Sequence, residues 1–265
     1  MLTKLIRNFS QLKNYFKSAQ HGVPGPEKIN KLGEDAYFTS PEIISIADGV
    51  GGWTTIGIDP SKYSWELMNN VGKAFEALPE PQKYNARDIL VEAAKNSKEI
   101  GSSTCALAIL DKDEPKLYTA NIGDSGFIIY RKKDENITLV AKSKEVTHDF
   151  NFPFQLGTNG DDPNKASFET FEVQDKDIII MYTDGVGDNL HEEQITGIVS
   201  LSMNAEVNLK EIAEKLVKLA YEQSNNRMFK SPFMINAMKA RMIWYGGKPD
   251  DITVVCGEVN LKSNE

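Results

Sequence analysis

Hydrophobic residues along the chain recur with two periods, and the points where one gives way to the other mark the elements. Short apolar runs at 36–39 and 43–47, separated by Ser40-Pro41, predict a β-hairpin. From residue 61 the period becomes helical and predicts helices over 61–78 and 86–100. Pro79 and Pro81 break the chain between them, and Ile89, Leu90 and Ala93 share one side of the second. Strand patterning returns at 104–110, 117–121, 127–131 and 137–141, with connecting turns short enough to require antiparallel neighbours. A loop rich in Asn, Pro and Gly covers 150–164. It precedes strands at 168–173 and 177–182, helices at 192–201 and 209–223, and a last strand at 252–259. Strands and helices come in blocks rather than in strict alternation. That order predicts an α+β protein of antiparallel sheets with helices packed outside them, not a doubly wound parallel sheet.

Composition narrows the function classes. With 265 residues, 40% of them hydrophobic, the chain can bury the core of a single large domain. No run approaches the roughly 20 apolar residues of a membrane-spanning helix. A net charge of -8 argues against a nucleic-acid backbone as principal ligand, because polyanion binding needs clustered Lys and Arg. Cys105 and Cys256 lie inside apolar strand-like runs and read as buried, reduced thiols.

The first 26 residues differ from the rest. They contain no acidic residue, while Lys4, Arg7, Lys13 and Lys17 supply positive charge. Leu2, Leu5, Ile6, Phe9, Leu12 and Phe16 recur at helical spacing, as in a mitochondrial transit peptide; an amphipathic helix docked on the domain fits the same pattern. The expected organisation is a basic amphipathic segment at 1–26 and a folded domain at 27–265. Mitochondrial localisation is the first expectation and cytoplasmic the alternative.

Four acidic clusters sit where predicted strands end: Gly33-Glu34-Asp35-Ala36, Ala47-Asp48-Gly49-Val50-Gly51-Gly52-Trp53, Thr183-Asp184-Gly185 and Pro249-Asp250-Asp251-Ile252-Thr253. One Asp-Gly alone is an ordinary turn. Four clusters flanking strands supply what hard cations such as magnesium and manganese require, namely a few carboxylates beside water and phosphate oxygen. Glycine after Asp48 and Asp184 permits a sharp turn and brings backbone carbonyls within reach.

These motifs resemble those of the metal-dependent type 2C serine/threonine protein phosphatases, in the compact branch that includes mitochondrial members. The resemblance extends to Gly101-Ser102-Ser103-Thr104, Asn121-Ile122-Gly123-Asp124-Ser125, Phe152-Pro153-Phe154-Gln155-Leu156-Gly157, Ser231-Pro232-Phe233 and Gly246-Gly247-Lys248-Pro249-Asp250-Asp251. It implies a four-layer α-β-β-α sandwich of two antiparallel sheets flanked by helices. It also implies a monomer that hydrolyses phosphoserine and phosphothreonine in phosphoprotein substrates, with two divalent cations, Mg²⁺ or Mn²⁺. By the same resemblance Asp48 bridges the two ions, Asp184 and Asp250 hold one, and the carbonyl of Gly49, with Glu34 through water, holds the other. Asp124 contributes to a weak third ion, while Asp35 and Asp251 stand behind the ligands. A water between the ions would attack phosphorus in line.

Two positions depart from the family pattern. The His that many members carry two residues after the bridging Asp falls on Val50, removing a general acid worth about 10²- to 10⁴-fold in rate. The phosphate-binding Arg falls on Asn30, so Lys31, or Lys28, is the candidate for the substrate phosphate, as a point charge rather than a bidentate fork. Lys31 reads equally as a solvated surface lysine. His148 either shapes its loop or approaches the site, and Ser102, Ser103 and Thr104 open a core strand, since no Gly-x-Ser-x-Gly elbow surrounds them. Trp53 either contacts substrate or packs on its loop, and 228–245 forms either a substrate flap or a core helix. Rival readings are a catalytically impaired relative that binds phosphoproteins and, less favoured by the charge, a metal-dependent nuclease.

Overall fold

The computed structural model describes residues 13–28, 33–80, 82–134 and 136–262. Ten strands form two five-stranded antiparallel sheets. The first has the order β1 (Tyr15–Val23), β14 (Ile252–Asn260), β13 (Ile178–Tyr182), β7 (Gly126–Lys133), β8 (Asn136–Lys142). The second runs β12 (Ser167–Glu172), β6 (Lys116–Ile122), β5 (Cys105–Leu110), β3 (Ile43–Ala47), β2 (Ala36–Thr39). Two short pairs lie at the rim: β4 (Ser102–Ser103) with β11 (Leu156–Gly157), and β9 (Thr147–Asp149) with β10 (Phe152–Pro153).

Alternation along the strands divides the core into three layers, because successive side chains point to opposite faces. Ile44, Ile46, Ala106, Ala108, Phe127, Ile129, Ile179, Met181 and Val255 fill the space between the sheets. Their neighbours Ile43, Leu107 and Ile109 pack outward against α1 (Pro60–Ala77) and α2 (Ala86–Asn96). On the other side Ile128, Tyr130, Ile178, Ile180 and Val254 pack against α4 (Glu192–Asn204) and α5 (Leu209–Ser224), after the single turn α3 (Asp184–Gly187). Both faces of each central strand are buried, which is why these strands read as apolar runs. The result is the expected α-β-β-α sandwich. Cys105 and Cys256 are buried free thiols within it. Among the described residues, no helix is long and apolar enough to cross a membrane.

Local rules set the helix ends. Asp59 caps α1 by accepting from Ser61 N, with Pro60 at the first helical position, and Asn85 does the same for α2 through Arg87 N. The helix expected over 86–100 stops at Asn96, where Ser97 turns extended and bonds back to the carbonyl of Ala93.

The N-terminal expectation needs correction. Tyr15–Val23 is not part of an amphipathic helix but a strand paired with β14 along its whole length. Phe16, counted on the apolar helical face, is buried between the sheets. Pairing with a fully buried strand satisfies the backbone of this segment and covers Phe16 together, which a local helix cannot do. The folded domain thus takes in residues ahead of the expected boundary at 27. Residues 1–12 lie outside the described residues.

Candidate active site

Strand direction brings the acidic turns together. β2 and β3 are antiparallel with Ala36 opposite Ala47, so Glu34 and Asp35, which precede β2, meet Asp48, which follows β3. In the other sheet Tyr182 lies opposite Val254, so Asp184 after β13 meets Asp250 and Asp251 before β14. The hydroxyl of Thr183 donates to Asp35 Oδ2 at 2.9 Å and joins the two corners across the sandwich. Asp124, which follows β6, enters the same cleft and faces Asp184 and Asp188.

Two glycines permit this crowding. A Cβ on Gly49 would stand 2.7 Å from the backbone oxygen of Glu34 and 3.1 Å from that of Pro60. On Gly185 it would stand 2.0 Å from the backbone oxygen of Asp251. Any other residue would push the metal-type turns apart.

The electrostatics are those of a cleft short of positive charge. Burial, then the neighbouring Asp184, Asp35 and Asp250, push the Asp48 carboxyl well above the usual carboxylate range. Burial and Asp251 do the same to Asp35, and burial with Asp184 and Asp188 to Asp124. Asp250 is raised to about 6, by burial first and Asp184 second. Asp184 moves down: burial is the largest influence and opposes its ionisation, but the Lys248 ammonium, Asp48 and the Gly185 N–H together outweigh it. Oδ1 of Asp184 and Oδ1 of Asp35 are buried and have no hydrogen-bond partner among the described residues. Buried oxygens left this way call for an explanation, and a cation supplies one. The donors are carboxylates and backbone oxygens only, the set that hard divalent ions prefer.

Two lysines intervene: Lys28, offered by the sequence for the substrate phosphate, and Lys248, which patterning did not single out as a cleft residue. Lys248 Nζ lies 2.5 Å from Asp184 Oδ2, 2.8 Å from Asp188 Oδ2 and 3.3 Å from Asp250 Oδ2. Its backbone is fixed by Asn189, whose Oδ1 accepts from Lys248 N at 2.8 Å and whose Nδ2 donates to Lys248 O at 2.8 Å. Asp188 and Asn189 were missed as well, although both follow Asp184 by about one helical turn. Lys28 Nζ bonds Glu34 Oε2 at 2.7 Å and Asp251 Oδ2 at 3.1 Å. With ammonium groups among the carboxylates, no three acidic, imidazole or thiol groups among the described residues gather about one point closely enough to hold an ion.

Asp251 is a positioning residue. Its Oδ1 accepts from Gly25 N and its Oδ2 from Glu34 N, both at 2.6 Å, which fixes the Glu34 turn against β14. Lys31 lies outside the described residues. His148 pairs with Asp161 at 3.0 Å and stacks on Phe154 with ring centroids 3.9 Å apart, so it shapes its loop. It shares a hollow with Val50 and Trp53. Trp53 is half-buried and donates Nε1 to Ser102 Oγ at 2.6 Å, which packs it on the loop. Ser102, Ser103 and Thr104 are buried at the start of the β4–β5 segment. Within 228–245 a short helix, α6 (Pro232–Lys239), buries Phe233 beside Lys248, while Met228, Ile243 and Tyr245 stay exposed.

A four-layer α-β-β-α sandwich of two antiparallel sheets that share one carboxylate-lined edge defines the class of protein by its fold. Comparison with known proteins narrows the class. The family model for stage II sporulation protein E (SpoIIE) matches residues 64–260. A probable protein phosphatase 2C 80 of Arabidopsis thaliana is 39% identical over 241 residues, covering 89% of this chain and 57% of that protein. The protein phosphatase PTC7 homolog fig of Drosophila simulans is 33% identical over 267 residues, covering 93% of this chain and 83% of that protein. Among solved structures, the photosystem II phosphatase PBCP superposes with a TM-score of 0.83 at 26% identity, covering 93% of this chain and all of that one. The chain belongs to the protein phosphatase 2C-type family. It spans 57%, 51% and 41% of the length of three plant relatives that it matches.

Proposed function

We propose that the chain hydrolyses phosphoserine and phosphothreonine in proteins, with two divalent ions, Mg²⁺ or Mn²⁺, held in the carboxylate cleft. The observation that carries this reading is the convergence of Asp48, Asp184 and Asp250 at the shared edge of two rigid sheets, with buried carboxylate oxygen left unpartnered. Divalent ions held there would supply the positive charge that activates a water and neutralises phosphoryl oxygens. No covalent enzyme intermediate is required, in keeping with the burial of both cysteines far from solvent.

The roles follow from position. Asp48 lies among Asp184, Asp35 and Asp250 and is suited to bridge two ions. Asp184 and Asp250 would hold one, and Glu34 with the Gly49 carbonyl the other. Asp124 faces Asp184 from the rim and suits a weaker third. Asp35 and Asp251 orient the turns. Lys31, close in sequence to Lys28 and Glu34, is our candidate for the substrate phosphate. The basic segment ahead of Tyr15 is the basis for proposing mitochondrial delivery, which a fluorescent fusion of residues 1–25 tests; a diffuse cytosolic signal refutes it. A monomer is proposed for the working state.

Purified protein with Mn²⁺ or Mg²⁺ should release phosphate from phosphoserine and phosphothreonine peptides, and EDTA should stop it. Normal turnover in EDTA would refute the metal mechanism. Because Val50 stands where a general acid is expected, absence of turnover with any divalent ion would favour a phosphoprotein-binding role instead.

A further inference from the structure

Lys248 occupies oxygens that the metal reading needs. Its ammonium contacts Oδ2 of Asp184 and Oδ2 of Asp250, both assigned to the same ion, and also Oδ2 of Asp188, to which no metal role is given. A divalent ion and the ammonium compete for these two Oδ2 atoms and repel each other across the same carboxylates, since both are cations in a cleft largely screened from water. The backbone of Lys248 cannot yield, because Asn189 clasps its N–H and C=O. The side chain can. Asp188 offers it a second seat, and the Phe233 ring, 5.1 Å from Nζ, offers a cation a favourable face on the same side.

We propose that Lys248 is a tethered cation that competes with divalent ions for Asp184 and Asp250 and retreats to Asp188 and Phe233 when they bind. The inference rests on the metal reading above. It gives the cleft one cation of its own and weakens ion binding by the reciprocal of the fraction of molecules in which the ammonium leaves these oxygens free. If that fraction is about one in ten, the apparent Kd is weakened about tenfold. The chain would then take up metal only where the free ion is abundant, and Lys248 would set the threshold.

The test uses the full chain stripped with EDTA and titrated with MnCl₂ by calorimetry, alongside Lys248→Met, Lys248→Gln and Lys248→Arg. The neutral variants should bind Mn²⁺ on the order of tenfold tighter, melt at lower temperature without metal, and gain more from metal than the wild type. Lys248→Arg should keep the weak affinity. A purely structural lysine would instead lower melting equally with and without metal, leaving affinity unchanged or weaker, and that result overturns the proposal. Should the neutral variants fail to fold without metal, the wild type decides alone. The Lys248 ammonium resonance, followed by NMR, should shift on saturation with diamagnetic Mg²⁺. A resonance unmoved at saturation overturns the proposal. No binding of Mn²⁺ by wild type or variants would overturn the metal centre itself, an outcome distinct from equal binding by all.

Discussion

Thr183 and Asp35 meet across the sandwich, the hydroxyl of one donating at 2.9 Å to Oδ2 of the other, while Thr183 Oγ1 also accepts from Thr253 N at 3.0 Å. One buried hydroxyl therefore ties the end of β13, the start of β14 and the turn before β2. Thr183→Val keeps the shape and removes both bonds. We expect a loss of about 1–3 kcal/mol, the cost of leaving buried polar groups unmatched. Thr183→Ser should recover most of it. Chemical denaturation of the three proteins is the check, and a valine variant as stable as the wild type would deny the hydroxyl its bridging role.

The pH dependence of the metal-free protein should run opposite to ordinary acid denaturation. Asp250 is raised to about 6 and Asp188 to about 7, in both cases by burial first; Asp184 adds to it and Lys248 opposes it. The folded state thus holds protons that the unfolded chain has already released near pH 4. This contribution to stability is complete below the unfolded carboxylate value and is lost as pH rises through 6 and 7. Melting temperature in EDTA should therefore fall between about pH 5 and pH 8. Saturating Mn²⁺ should flatten the trend, because a cation replaces the protons. A flat profile in EDTA would contradict the assigned environment of these carboxyls.

Much of this was legible in the chain. Apolar runs such as Ile178 to Tyr182, and Ile43 to Ala47 with only Ser45 interrupting, marked strands buried on both faces, and block order gave antiparallel sheets. The acidic turns were legible through repetition: one Asp-Gly is an ordinary turn, but four acidic clusters at strand ends are a ligand set for hard cations. β1 was not legible, because Phe16 is its single well-buried side chain and the rest is only partly covered, leaving no alternation to read. Lys248, Asp188 and Asn189 escaped for a different reason. A lysine beside Pro249 looks solvated until tertiary contact turns it inward onto Asp184, sixty-four residues away in sequence.

Asp48→Asn should move function and stability in opposite directions. The substitution removes a carboxylate that burial and three neighbouring acids make costly to ionise. Without metal the variant should melt higher than the wild type, by a margin on the order of 1 kcal/mol. With metal it should bind Mn²⁺ more weakly and lose most phosphate release, since the carboxylate proposed to bridge the ions has lost its charge. Melting curves with and without Mn²⁺ are sufficient to see the crossing. A variant that is less stable in both conditions would show that Asp48 is a structural residue.

The glycine turns make a steric prediction. Gly49→Ala places a methyl group 2.7 Å from the Glu34 carbonyl, and the obstacle is backbone that cannot rotate away. The 48–52 turn must move off the β2 turn, breaking the bridge between Gly49 and Ser103. Stability should fall by about 1–3 kcal/mol, with metal affinity falling in parallel. Calorimetry on the refolded variant would show both, and unchanged Mn²⁺ affinity would exclude the turn from the metal site.

Arg131 and Asp177 provide a stability test remote from the cleft. The Asp177 side chain is fully buried and takes Arg131 Nε at 2.8 Å, Arg131 Nη2 at 2.6 Å and Gln174 N at 2.8 Å. The pair closes the end of the first sheet opposite the acidic edge, since Asp177 precedes β13 whereas Asp184 follows it. Arg131→Met keeps the packing of the arginine stem but leaves a buried carboxylate without its partner, which costs about 3–5 kcal/mol. Because no cleft residue shares this network, the loss should be equal with and without Mn²⁺, and Mn²⁺ affinity should stay at the wild-type value. A variant whose metal affinity fell together with its stability would mean that the two edges of the sandwich are coupled, and that the rigid-sheet basis for placing the carboxylates is wrong.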